Sequence, residues 1–345
     1  MLNGIQVARG IAAIFVVLYH ASVWSKVYYH TVFDGFFDFG YIGVDFFFVL
    51  SGFIIFYIHR GDESGLSTWK VYFTKRLVRI YPPFIPISLL LLIVYMNFPG
   101  LAKGHREIGI LSSIFLIPTN YFPALEVSWT LMHEMLFYIF FSLYYFSRKY
   151  FLLISIIWGL VICANIDSVK NNYLTSFLLN AHNIEFLLGI VVAIFVSKYS
   201  KYHKESFLFG IGLILLFILC SYFTNRDNVT INDNVDIIFL GISFSLIIYG
   251  IVGFDRRLTI KYPMVLVFIG SASYSIYLIH YPLVSVLNRI ASIVYPQFIP
   301  QHHLLFFLVI IICLVAGSIY HLLYERKMLT FLKNKFITQK NIGAN

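Results

Sequence analysis

The chain has 345 residues, 59% of them hydrophobic and only 12% charged, about half the charged share of an average globular protein. So few charges exclude a soluble surface, and so much apolar sequence excludes a disordered chain. The net charge of +9 does not indicate a nucleic-acid partner. The basic residues sit in short connections between apolar runs, where they orient a protein in the bilayer. Cys163, Cys220 and Cys313 all fall inside apolar runs. They lack metal-ligand spacing and read as small buried hydrophobes.

A membrane span takes about 20 apolar residues. Ten candidates follow in chain order: 4–24, 41–58, 80–97, 128–147, 150–166, 174–197, 206–223, 235–254, 262–287 and 302–324. The first has no basic leader and a long apolar run, so it reads as a retained span rather than a cleaved signal. The apolar stretch 108–117 is too short to cross and reads as interfacial or re-entrant. With both termini cytoplasmic, 18 lysines and arginines fall in inner connections and six in outer ones, Lys103, Lys170 and Arg226 among the six. That bias sets the orientation. The expected architecture is all-α and polytopic, with about ten transmembrane helices, N-in and C-in, around a polar central cavity. One transmembrane domain covers 1–330 and a short basic cytoplasmic tail covers 331–345. There is no internal repeat of the kind found in many transporters, and no Walker loop or dinucleotide fingerprint.

A charge at mid-bilayer costs about 2.5–3.5 kcal/mol on insertion scales, so each intramembrane ionisable group is a candidate for function. Arg9 and His20 stand 11 residues apart, close to three helical turns, and share one face. Asp45, on the second span, falls near the depth of His20, where a carboxylate could orient the imidazole. Ser51 and Gly52 follow at mid-depth, where small residues permit close approach. The fourth span brings Trp129, His133 and Glu134, and the sixth brings His182 and Glu185. The ninth carries Ser273, Tyr277 and His280 at i, i+4 and i+7 on one stripe.

At the inner boundary Arg76 and Arg79, at i and i+3, can share a face and hold phosphate. Pro82, Pro83 and Pro86 predict an irregular start to the third span. Each residue also has a bland reading. Arg9 can be an orienting, snorkelling arginine, and His20 a packing histidine. Asp45 can be a helix–helix hydrogen bond, Trp129 a belt residue, and Arg76 with Arg79 ordinary inner-side charge.

The same residues carry a family resemblance. Ile5-Gln6-Val7-Ala8-Arg9-Gly10 followed by His20 resembles the first signature of integral-membrane acyltransferase family 3, which includes bacterial polysaccharide O-acetyltransferases. The segment from Gly43 through Asp45 and Ser51 to Phe53 is similar to its second signature, and Arg76-Leu77-Val78-Arg79 to its Arg-x-x-Arg element. Ser128-Trp129-Thr130-Leu131 with Glu134, and Ser273-Tyr274-Ser275-Ile276-Tyr277-Leu278 with His280, resemble two further blocks. The blocks keep the family's order from Ile5 to about Glu325.

The resemblance implies a ten-span enzyme of the bacterial cytoplasmic membrane. It implies that acyl-CoA, most often acetyl-CoA, serves as co-substrate, with no permanently bound cofactor. The implied acceptor is a hydroxyl of a surface or lipid-linked glycan. The catalytic expectation is His20, with Asp45 and Glu134; the donor side is Arg9, Arg76, Arg79 and Ser51; the substrate side is Trp129, Ser273, Tyr277 and His280. The expected partners are the lipid bilayer, the donor and the glycan, with room for a homo-oligomer or polysaccharide-assembly partners. Two departures stand out. Glu325 is followed by Arg326 and Lys327 without the family's proline two residues on, so Glu325 is not among the expected site residues. No esterase-like domain follows, so the membrane domain is expected to complete the transfer alone or with a partner. The competing expectation from another class is a proton-coupled transporter of a glycan or small anion, using the same buried groups as a relay.

Overall fold

The computed structural model describes residues 2–29, 32–101, 106–165, 172–199, 201–223, 234–258, 260–294 and 302–335. Lys103, Lys170, Arg226, the tail beyond 335 and the Cys220 side chain lie outside them. Among the described residues there is no strand, only one isolated bridge between Ile108 and Phe122. The helices are α1 (Asn3–Tyr28), α2 (Ile42–His59), α3 (Leu66–Asn97), α4 (Ile110–Phe115), α5 (Trp129–Phe141), α6 (Leu143–Phe146) and α7 (Arg148–Ala164). They continue with α8 (Tyr173–Leu178), α9 (His182–Lys198), α10 (His203–Phe223), α11 (Asn234–Arg257), α12 (Met264–Val294) and α13 (His302–Tyr320). A π-helical turn over His321–Glu325 leads into α14 (Arg326–Lys333). The all-α, multi-pass membrane architecture follows directly.

Among the described residues, seven helical stretches are long and apolar enough to cross a membrane by themselves: Asn3–Tyr28, Gly35–His59, Leu66–Asn97, Tyr173–Lys198, Asn234–Arg257, Met264–Val294 and His303–Lys333. The other three expected spans fall on different features. The span at 128–147 is divided between α5 and α6, which are 13 and 4 residues long. The span at 150–166 falls on α7, whose 17 residues reach about 25 Å at 1.5 Å per residue, short of a hydrocarbon core of about 30 Å. The span at 206–223 falls on α10, whose last four side chains lie outside the described residues. The stretch 108–117 holds only the six-residue α4, closed by Leu116 in the left-handed region at φ 56°.

The third span departs most from expectation. It begins at Leu66 rather than near residue 80, and it continues through Pro82, Pro83 and Pro86. A proline has no N–H, so Pro86 leaves the carbonyl of Pro82 without its helical donor. The Tyr324 hydroxyl supplies one, at 3.2 Å. Tyr320 donates to Pro83 at 2.9 Å and Tyr274 to Ile80 at 2.9 Å. The proline segment is therefore clamped to α12 and to the end of α13, and needs no break.

Two helix crossings position the site. Helix α1 packs along α12, and α2 along α9. At Gly270 a Cβ would stand 1.8 Å from the Gln6 carbonyl oxygen. At Gly52 it would stand 2.0 Å from the Phe186 carbonyl oxygen, and at Gly189 2.1 Å from that of Val49. Only glycine allows these backbones so close. One end of the bundle is tied by charge as well. The Gly4 N–H, a free donor of the first turn of α1, donates to the Asp255 carboxylate at 2.9 and 3.2 Å, an acid at a positive helix end. Arg256 donates to the Val196 carbonyl at 2.7 Å and to the Tyr57 hydroxyl at 2.8 Å. The start of α1 and the ends of α2, α9 and α11 therefore share a level.

Candidate active site

A cavity of about 860 Å³ opens among α1, α2, α3, α5, α12 and α14. Its cationic wall comes mainly from α3, with Lys75, Arg76 and Arg79, facing Lys333 of α14 and Arg9 of α1. The rest of the lining includes Ser51, Glu134, Ser273 and Tyr277, with Phe47, Phe48 and Ile54 supplying apolar surface. A charged mouth with a partly apolar interior suits an amphipathic ligand whose anionic end stays near the mouth.

The three arginines are held in different ways. Arg9 donates to Ser273 Oγ at 2.9 Å and to Gln6 Oε1 at 3.4 Å, contacts that depend on the Gly270 crossing of α1 and α12. Arg79 donates to Glu325 Oε1 at 2.5 Å and lies 5.1 Å over the Tyr274 ring. Arg76 stands 5.8 Å from the rings of both Tyr72 and Tyr138, and its buried Nε has no hydrogen-bond partner among the described residues. A buried N–H without a partner costs about 1–3 kcal/mol, so this arginine is set to take an acceptor.

In the same cavity, Glu134 accepts from Ser51 Oγ at 3.4 Å and from the Tyr138 hydroxyl. Tyr277 donates to the Val127 carbonyl at 2.5 Å and shares a 2.6 Å bond with Thr130 Oγ1.

His20 and His280 lie one layer beyond the cavity wall. Their ring centres are 5.1 Å apart, and His280 is 5.6 Å from Tyr277. A line of rings thus joins the cavity to His20. Tyr19 and Tyr281 pack edge-on against His20 at 4.9 and 5.0 Å. Tyr281 donates in turn to Glu126, which is paired with Arg106 at 2.7 Å. His280 is fully buried, and its Nδ1 meets the Ile276 carbonyl at 3.1 Å. A carbonyl only accepts, so Nδ1 carries the proton and Nε2 presents a lone pair. That Nε2 is buried and has no partner among the described residues.

Asp45 and Trp129 belong to a third group. Asp45 is 2% exposed and lies beside α9, with His182 Nδ1 at 3.8 Å from its carboxylate. The same nitrogen is 2.8 Å from Glu185 Oε2. Trp129 packs on His182 at 5.3 Å, on Phe48 and on His133. Asp45, His182 and Glu185 offer ligand atoms within 4.8 Å of one another, the arrangement a divalent ion would need. The His182–Glu185 bond lies within α9, and the 3.8 Å approach of Asp45 to His182 extends this polar lock to α2. The sequence reading placed Asp45 beside His20; the structure surrounds it with the polar side chains of α9.

Three cavity-lining residues, Gln6, Tyr138 and Tyr274, and Glu325 behind Arg79 are not among the expected site residues. Tyr138 was within reach, since it follows Glu134 by one turn on the same face. Glu325 lacks the family's following proline, yet it is completely buried and bonds Arg79, Ser275 Oγ at 2.6 Å and His321 at 2.7 Å.

Fold and site thus define a multi-pass membrane protein with a cationic cavity leading toward a pair of histidines. A family model described as an acyltransferase domain matches residues 2–323, and the chain belongs to this family, acyltransferase family 3. It is 26% identical over 336 aligned residues to proteins named "Putative O-acetyltransferase" in Staphylococcus aureus strains COL, MSSA476 and MRSA252. Each match covers 82% of this chain and 51% of the relative, so the chain spans about half the length of the curated relatives it matches. No solved structure is significantly similar to it.

Proposed function

We propose that this protein is a membrane O-acyltransferase. It moves an acyl group, acetyl foremost, from cytoplasmic acyl-CoA to a hydroxyl of a surface or lipid-linked glycan. Family membership and the relatives' O-acetyltransferase names support the reaction class. The observation that carries the donor is the cavity wall, where Arg76 keeps a buried N–H without a partner beside Arg79 and Lys75. Guanidinium groups suit phosphate oxygens, and the apolar interior suits the pantetheine arm.

His20 is the general base. It removes the proton of the acceptor hydroxyl as that oxygen attacks the thioester carbonyl. The C–S bond then breaks, and the CoA thiolate leaves and takes up the proton. The unpartnered Nε2 of His280 is suited to receive a second hydroxyl of the acceptor. Arg9 and Ser51 face the donor, Glu134 supplies negative charge at the cavity, and Ser273 and Tyr277 shape the acceptor's side, while Asp45 and Trp129 support the wall from the α2–α9 crossing. General-base catalysis contributes about 10²–10⁴ in rate, and positioning much of the rest.

The test is transfer of labelled acetyl from acetyl-CoA by the purified chain in lipid, read as CoA release and as acetyl gained by surface glycan. His20→Ala is expected to abolish both while the protein stays folded in the membrane; retained transfer removes His20 from the mechanism. The base must be neutral, so turnover is expected to fall as the medium is acidified and the imidazole protonates. A flat profile from about pH 5 to 8 at constant donor binding argues against a histidine base.

A further inference from the structure

The last helix contributes a residue to the donor site that family spacing alone did not select. Over His321–Glu325 the helix widens into a π turn, a feature that concentrates at functional sites. The turn brings His321 and Glu325 to one point. The Glu325 carboxylate there is fully buried and completely bonded: Oε1 accepts from Arg79 at 2.5 Å, and Oε2 accepts from Ser275 at 2.6 Å and meets His321 at 2.7 Å. Two of its three partners belong to α12 and to the turn itself. Those contacts fix the carboxylate whether or not Arg79 is present, so it is no swinging competitor for the cavity. Arg79 is the member that reaches the cavity. Its side chain is 34% exposed, and it lines the cavity beside Arg76.

We propose that Glu325 is a positioning residue: it grips one end of the Arg79 guanidinium and so aims the remaining N–H groups at a phosphate of the acyl-CoA donor. Glu325 acts through Arg79 and touches no reacting atom. The grip also explains why a negative charge is kept beside an anion site. An arginine has a long, flexible stem, and holding it in one orientation removes entropy that phosphate binding would otherwise have to overcome. Tyr274 places its ring 5.1 Å under the Arg79 guanidinium, and Glu325 holds one end of that group by hydrogen bond. The proposal rests on the reading of the cavity as a donor site.

The experiment compares two acetyl donors on the full chain in lipid: acetyl-CoA, and acetyl-N-acetylcysteamine, which carries the thioester without phosphates. Glu325→Gln keeps the size of the side chain and its bonds to Ser275 and His321 but releases the charge on Arg79. The expected result is a fall of about tenfold in the kcat/KM preference for acetyl-CoA over the short thioester, carried by KM for acetyl-CoA, the scale of one charge-assisted hydrogen bond. In an Arg79→Gln background the same change is expected to lower the preference no further. A merely structural role would lower turnover of both donors in proportion, and that result overturns the proposal, as does an unchanged preference. If Glu325→Gln fails to fold, Ser275→Ala removes one of the carboxylate's anchors, and a two- to threefold loss of the same preference is expected (roughly one weakened neutral hydrogen bond); no loss overturns it. A wild-type protein that shows no preference for acetyl-CoA refutes the donor reading itself, and the positioning role falls with it.

Discussion

Arg9 shows how a single residue is made to serve inside a membrane. Its guanidinium is fastened by Ser273 and Gln6, yet it still borders the cavity. Lysine has one point charge and no planar fork, so Arg9→Lys cannot keep both contacts and face the donor. We expect KM for acetyl-CoA to rise about tenfold or more, the cost of one charge-assisted hydrogen bond at about 1.5–3 kcal/mol. Steady-state kinetics on the reconstituted protein would reveal it, and an unchanged KM would leave Arg9 only an orienting role. Glu185 is the contrasting case. It is completely buried and bonded to His182 beside Asp45, away from the cavity wall. Glu185→Gln keeps a hydrogen-bonding amide there, whereas Glu185→Ala leaves His182 and Asp45 without it. Breaking such a buried pair costs about 3–5 kcal/mol. Thermal unfolding in mild detergent should show a large loss for the alanine variant and a small one for the glutamine variant; equal losses would refute the lock.

At the scale of elements, the glycine crossings make the most specific demand. A Cβ at Gly270 meets the Gln6 backbone at 1.8 Å, whereas one at Gly212 on α10 meets nothing within 4 Å. Gly270→Val must push α1 from α12 and carry Arg9 away from Ser273. Overpacking costs about 1–3 kcal/mol, so the melting temperature and acetyl transfer should both fall. Gly212→Ala should leave both unchanged or raise stability slightly, because alanine is the better helix former. If the two variants behave alike, the crossing does not hold the site together.

The same scale explains what the sequence could tell. Apolar runs near 20 residues mark most long helices, and Arg9, Ser51, Glu134, Ser273 and Tyr277 among their polar residues line the cavity, whereas His20, Asp45 and His280 lie behind it. The start of α3 was hidden because Lys75, Arg76 and three prolines look like a boundary, while the donors that satisfy the proline segment lie on Tyr320 and Tyr324, far along the chain. The surroundings of Asp45 were hidden for a related reason. Depth alone suits His20 and His182 equally, and only the Gly52–Gly189 approach brings α9 against it. Glu325 is not legible from its atypical local motif, because its bonds to Arg79 and Ser275 are long-range.

For the whole molecule the decisive question is which end of the bundle faces the cytoplasm. Gly4, Tyr57, Val196, Asp255 and Arg256 are bonded together at one end, the end the distribution of lysine and arginine assigns to the inside. The cavity's cationic mouth at Lys75 and Lys333 belongs to helices that begin or finish near that end. A donor made in the cytoplasm can reach Arg76 and Arg79 only if this end is inside, so topology and mechanism stand or fall together. The test uses a chain with Cys163, Cys220 and Cys313 replaced by alanine. Lys201→Cys, beside Tyr249 at the bonded end, is expected to react with a membrane-impermeant maleimide only after the cells are opened. Lys26→Cys, at the other end of α1 where Lys26 pairs with Asp38, is expected to react in intact cells. Loss of that exposed ion pair should cost less than about 1 kcal/mol and leave the fold intact. The reverse labelling pattern would place the arginines on the wrong side for cytoplasmic acyl-CoA, and would require the donor to enter from outside.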